Sequence, residues 1–184
     1  MDIAQQKKQI RQQVLTSLKQ MSTSQREHAS AQLVEKIAQF LNEHPSVRTI
    51  STFANLAIEP DLSALHRLFP QHRFVYPLCL KDRKMEFYHV AHPDEMNRGT
   101  CGIREPDPDT FEHVRLDEID CFLCPSFAYT EQGDRLGKGG GYYDRALSNR
   151  KKQSHLLGVA FAVQMMESVP TEKHDQAVDQ VIYA

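Results

Sequence analysis

Apolar residues recur at helical spacing from the start of the chain. Ile3, Ile10, Val14, Leu15 and Leu18 form a stripe that predicts a first helix over residues 2–21. Two cations interrupt the amphipathic pattern: at about 100° per residue, Lys7 and Arg11 project into the same sector as Val14 and Leu18. Basic side chains placed there either snorkel past the core into water or meet a partner inside it. Ser24 and Glu27, at capping-box spacing, announce a second helix that continues through Leu33, Ile37, Phe40 and Leu41 and closes at Pro45.

Beyond Pro45 the pattern changes. Residues 49–54, rich in β-branched side chains, read as a strand, followed by a connection over 55–60 and a short helix near 62–68. Residues 73–76, stopped by Pro77, and residues 85–90 predict two further strands with a hairpin turn near 81–83. From 92 to 109, prolines together with Gly99 and Gly102 predict a long irregular connection, of the kind that serves as a binding loop or lid. The apolar run 120–125 is a strand, 142–148 a helix, 156–161 another strand, and 180–183 a terminal one. A strand, a glycine-rich turn, a helix and a strand make a βαβ unit, whose two strands run parallel. The expected fold is α/β: a single three-layer domain over residues 1–184, with a mainly parallel central sheet and helices on both faces.

Composition narrows the function classes. The chain has 184 residues and a formal net charge of -2, so no overall field favours nucleic acid or an anionic membrane. No segment has the apolar length of a membrane helix and the start lacks a signal-peptide core, which makes a cytoplasmic protein the default expectation. Of the four cysteines, Cys79, Cys101, Cys121 and Cys124, the last two match CxxC, but that spacing on a strand points the sulfurs to opposite faces. Buried structural thiols are expected. The histidines lack metal-ligand spacing.

The chemistry concentrates between Gly133 and Arg145. Four of the eight glycines, Gly137, Gly139, Gly140 and Gly141, lie within five residues and alternate with cations at Arg135, Lys138 and Arg145. Glycine lets backbone N–H groups approach phosphate oxygens, and the loop leads into a helix start near Tyr142, so a polyanion fits here better than in an ordinary surface turn. The stretch is neither GxGxxG nor a P-loop. A bound polyphosphate calls for magnesium, which takes one or two carboxylates plus waters and phosphate oxygens; Asp144 and Asp175 are the candidates. Arg135 and Lys138 would neutralise a transferring phosphate, and Lys7 and Arg11, turned inward, could reach the same charge. Glu59 lies just past a strand, where ligands of open α/β sheets collect, although a solvated loop acid is the alternative. Asp175 reads equally as surface charge, and Asp179 more readily so.

These residues carry a resemblance that extends over nearly the whole chain. Arg135-Leu136-Gly137-Lys138-Gly139-Gly140-Gly141-Tyr142-Tyr143-Asp144 is similar to the nucleotide-binding segment of the 5-formyltetrahydrofolate cyclo-ligase family. Lys7-x-x-x-Arg11, Glu59, Gly102-Ile103-Arg104-Glu105-Pro106, and His174-Asp175 with Asp179 match in order and spacing. The resemblance implies an enzyme that uses ATP and Mg2+ to convert 5-formyltetrahydrofolate to 5,10-methenyltetrahydrofolate through a phosphorylated formyl group. It implies that Lys7, Arg11, Arg135, Leu136, Gly137, Lys138, Gly139, Gly140, Gly141 and Tyr142 hold ATP, with Asp144 and Asp175 on magnesium. Glu59 and Tyr142 would meet the reduced folate, and a monomer acting on small molecules is expected. A non-catalytic nucleotide or sugar-phosphate sensor of similar fold is the alternative, separable by turnover.

Overall fold

The computed structural model describes residues 2–99 and 103–184. Two long helices open it. In α1 (Ile3–Gln20) the Asp2 carboxylate accepts from the Gln5 N–H, and the buried face carries Lys7 together with Val14 and Leu18, as the spacing predicted; Ile3 lies outside that face and is exposed. Helix α2 (Thr23–Glu43) begins earlier than expected. Its capping box is Ser22 with Gln25, because the chain turns directly from Met21 into an extended Ser22 and uses the first suitable pair.

Strands β1 (Thr49–Ser51), β2 (Arg73–Cys79), β3 (Met85–His89), β6 (Glu112–Val114), β7 (Cys121–Pro125), β10 (His155–Ala160) and β11 (Gln180–Tyr183) form one sheet in the order β11-β10-β7-β1-β2-β3-β6. The pairs from β11 through β2 are parallel, and β3 and β6 add on antiparallel. Pro77 does not stop β2. The β1 register ends at Val75, and hydrogen-bonded pairing with β3 passes through Phe74, so the missing N–H of Pro77 falls where no ladder bond is due. Strand β6 was not foreseen. Within the expected irregular connection, β4 (Asn97–Arg98) pairs antiparallel with β5 (Arg104–Glu105), while Cys101 and Gly102 lie outside the described residues.

The sheet separates two apolar clusters. Ile50, Phe74, Cys121, Leu123, Leu157 and Val159 face α1, α2 and the short α3 (Ala64–Leu68). Val75, Phe122, Cys124 and Leu156 face α4 (Tyr142–Leu147). Helices thus cover both faces, and the two thiols of the CxxC pair belong to opposite clusters. Burial pushes the Cys124 thiol up to about 12 and raises Cys121 as well, so neither is a nucleophile at neutral pH. Cys79, expected to be buried, is exposed at the end of β2.

Between β7 and α4 the chain makes a second small hairpin, β8 (Ala128–Tyr129) with β9 (Arg135–Leu136), invisible in the sequence pattern because each strand is two residues long. Tyr129 is buried and donates its hydroxyl hydrogen to the Cys124 carbonyl, with its ring over Gly158 of β10. A Cβ at Gly158 would lie 2.5 Å from the ring. Gly158→Ala is therefore expected to destabilise the protein by about 1–3 kcal/mol in denaturant titration, with the slope unchanged.

Candidate active site

A cavity of about 280 Å³ opens at the carboxyl edge of the parallel strands, lined by Phe53 and Ala54 after β1, Pro77 and Cys79 of β2, and Pro125 of β7. Ligands collect at this edge because the loops that leave it can diverge around a ligand. The glycine loop forms one wall, and Lys7, Arg11, Glu59, Asp144 and Asp175 line the same space. Every residue expected to hold ATP, magnesium or folate lines this one cavity; Arg145 and Asp179 do not, and Asp179 instead accepts from the Leu156 N–H.

The loop is an array of donors. Among the described residues, the amides of 137–141 donate to no protein acceptor. Gly139 and Gly141 hold positive φ angles of 96° and 67°, which only glycine adopts without strain. A side chain at Gly139 would also project onto the Arg11 guanidinium, 3.6 Å from its Cβ position. Helix α4 is only six residues long, so the amides rather than a helix dipole carry the anion-binding character.

Four of the cations that line the cavity have different environments. Arg135, whose side chain is 3% exposed, is bonded on every side: to the Asp144 carboxylate, to the Gln176 carbonyl at 2.8 Å, and to the Ser126 hydroxyl at 3.4 Å. It anchors the loop from behind. Lys7 bonds Asp175 at 2.7 Å and Glu172 at 2.9 Å, so it meets partners instead of snorkelling. Burial opposes its charge, but the hydrogen bonds to Asp175 and Glu172 outweigh burial and raise its pKa. Arg11 donates Nε–H to the Gly137 carbonyl at 2.8 Å; burial lowers its pKa against the opposing pull of Asp175, and guanidinium stays charged regardless. Lys138 is the accessible one. Its side chain is 49% exposed and its Nζ lies 2.7 Å from Oε1 of Glu59, which is 12% exposed and accepts from the Leu56 N–H through its other oxygen.

This donor set fits a polyphosphate: free amides, an accessible lysine, the half-buried Arg11 and the buried Lys7 around one cavity. Asp144 and Asp175 suit magnesium less completely. Both line the cavity, but Asp144 is engaged by Arg135 and the Gln176 N–H, and Asp175 by Lys7 and the Glu172 N–H. Among the described residues no group of three His, Cys, Asp or Glu could hold a metal by itself. A two-carboxylate set completed by waters and phosphate oxygens remains compatible with magnesium's preferences.

The sequence profile of the 5-formyltetrahydrofolate cyclo-ligase family matches residues 3–184. The chain belongs to that family. It is 31% identical over 175 residues to a 5-formyltetrahydrofolate cyclo-ligase of Haemophilus influenzae, covering 91% of this chain and 94% of the relative. A cyclo-ligase of Mus musculus is 23% identical, with 96% and 93% covered. The fold is similar to that of the Aquifex aeolicus 5,10-methenyltetrahydrofolate synthetase, with a TM-score of 0.82, 27% identity, and 96% and 89% of the chains covered.

Within this cyclo-ligase framework, three contributors were missed from sequence. Glu172 shares Lys7 with Asp175, Cys79 borders the cavity, and Tyr143 lines it with a buried hydroxyl that has no partner among the described residues. Burial raises the ionisation of Tyr143 well above its ordinary value, so it stays a neutral phenol. Tyr143 stands next to Tyr142 in the motif, but nothing in the sequence says which ring turns inward.

The Lys7 and Asp175 pair gives a pH signature. Burial opposes ionisation of Asp175, yet the Lys7 hydrogen bond, the Glu172 N–H and the Lys7 charge lower its pKa. A depressed carboxylate contributes stability that is present above its unfolded value near 4 and lost as pH falls through the folded value. Asp175→Asn should therefore lower Tm at pH 7, and the gap from wild type should narrow as pH falls below about 4 in thermal melts.

Proposed function

We propose that this chain converts 5-formyltetrahydrofolate to 5,10-methenyltetrahydrofolate with ATP and Mg2+, releasing ADP and phosphate. The observation that carries the reading is a donor-lined glycine loop facing the Glu59 carboxylate across one cavity, in a chain whose family profile spans residues 3–184.

The chemical problem is a formamide: its oxygen is a poor leaving group. Transfer of the γ-phosphoryl group to the formyl oxygen makes that oxygen a phosphate leaving group; N10 then attacks the formyl carbon, loses its proton, and the C–O bond breaks as phosphate departs. No enzyme nucleophile is required, and the buried, neutral thiols offer none. Catalysis of this kind is positioning and charge stabilisation.

The residues divide accordingly. The amides of 137–141 and the Lys138 ammonium receive the phosphates, with Lys138 following the charge as it moves. Arg11 holds the loop through the Gly137 carbonyl and, with Lys7, adds positive potential. Arg135 and Leu136 act by fixing the loop: the guanidinium is occupied, so its contribution to catalysis is orientation of the loop and of Asp144. Asp144 and Asp175 would hold magnesium, which when bound neutralises phosphate oxygens. Glu59 accepts hydrogen bonds from the N–H groups of the pterin, and Tyr142 lines the folate side. Each residue given a role here comes from a single chain, and the reading is of a monomer acting on small molecules in the cytoplasm.

Incubating the purified protein with 5-formyltetrahydrofolate and Mg-ATP should generate the methenyl absorbance with one ADP per product. Folate and ATP both bound without turnover would instead favour a sensor. Lys138→Ala should raise KM for ATP by about 10–100-fold and leave folate affinity in the presence of nucleotide nearly intact, whereas Glu59→Ala should do the reverse. Equal losses for both ligands in both variants would overturn the division of roles.

A further inference from the structure

The residue assigned to phosphate and the residue assigned to the pterin are bonded to each other. Lys138 Nζ and Glu59 Oε1 are 2.7 Å apart, and both side chains line the cavity. Neither can serve its ligand fully while the pair persists. A phosphate that takes the ammonium leaves Glu59 with one oxygen on the Leu56 N–H and the other unpaired in a mostly buried position. An unpaired, largely desolvated carboxylate is unfavourable, so it gains more from a ligand that brings N–H donors.

We propose that the Lys138–Glu59 pair is a latch that couples the two substrates, so that each binds more tightly when the other is present. The inference rests on the proposed function, since it takes Lys138 to meet phosphate and Glu59 to meet the pterin. The thermodynamics follow from one shared event. Either ligand must break the same pair, and once the first has done so the second no longer needs to, which makes the coupling positive and reciprocal. The pair joins a half-exposed lysine to a shielded carboxylate, which puts it toward the upper end of the range for partly exposed ion pairs. Coupling of about fivefold in each affinity is expected.

One consequence runs against simple electrostatics. 5-Formyltetrahydrofolate is an anion, so removing a cation from its cavity should weaken its binding on Coulombic grounds. The latch demands the opposite, because without Lys138 the Glu59 carboxylate is already free.

The test is equilibrium binding of 5-formyltetrahydrofolate by calorimetry, with and without magnesium and a non-hydrolysable ATP analogue at a concentration that saturates each variant. In the wild type, the analogue should tighten folate binding about fivefold. In Lys138→Met, folate should bind without nucleotide about as tightly as it binds the wild type with nucleotide, and the analogue should add nothing further. Glu59→Gln should bind the analogue alone more tightly than the wild type does. A wild-type response below about twofold, or weaker folate binding by Lys138→Met, overturns the latch. If those results accompany normal production of the methenyl product, the latch alone falls; if the wild type binds neither ligand, the proposed function falls with it.

Discussion

Arg135 is the interaction on which the rest of the site depends. A guanidinium with almost no exposure is tolerable only where its donors are satisfied, and this one is bonded to Asp144, to the Gln176 carbonyl and to Ser126. Those partners come from the start of α4, the C-terminal segment and the turn after β7. A single buried charge therefore joins three pieces of chain that no sheet ladder connects, and the glycine loop is stretched between them. The loop can leave its amides unpaired because its two ends are fixed independently of those amides.

A second set of ion pairs closes the cavity from the other side. Helix α1 places Lys7 against Asp175 and Glu172, and Arg11 against the Gly137 carbonyl. The first helix and the last loops of the chain thus meet at the carboxyl edge of the sheet, and the glycine loop is held by Arg11 from the first helix and by Arg135 at its own start. The same cations line the cavity, whose cationic side chains are matched by an equal number of carboxylates. The cavity carboxylates Asp144 and Asp175 are accordingly found engaged with arginine and lysine.

The cations are graded by accessibility, and the grading decides what each can do. Arg135 is sealed, Lys7 and Arg11 are half-committed to protein partners, and Lys138 is open. Only the exposed lysine is free to reorganise around a ligand, so it and the sealed arginine differ in what they can do although both stand in one ten-residue motif.

Much of this was legible in the chain. The helical phase of Lys7 and Arg11 relative to Val14 and Leu18, the opposite faces of Cys121 and Cys124, and the clustering of glycines with cations follow from fixed local periods and from the backbone freedom of glycine, which are properties of short stretches. Contacts across long sequence separations are not such properties. That Lys7 would find Glu172, that Arg135 would turn inward and Lys138 outward, that Pro77 could sit within β2, and that Lys138 would be neutralised by Glu59 depend on where strand ends converge once the sheet has formed. The sequence by itself determined which residues could take part and which way each element faces; the tertiary structure decided which charges are sealed, which are paired and which remain open to a ligand, because desolvation is set by neighbours that only folding supplies.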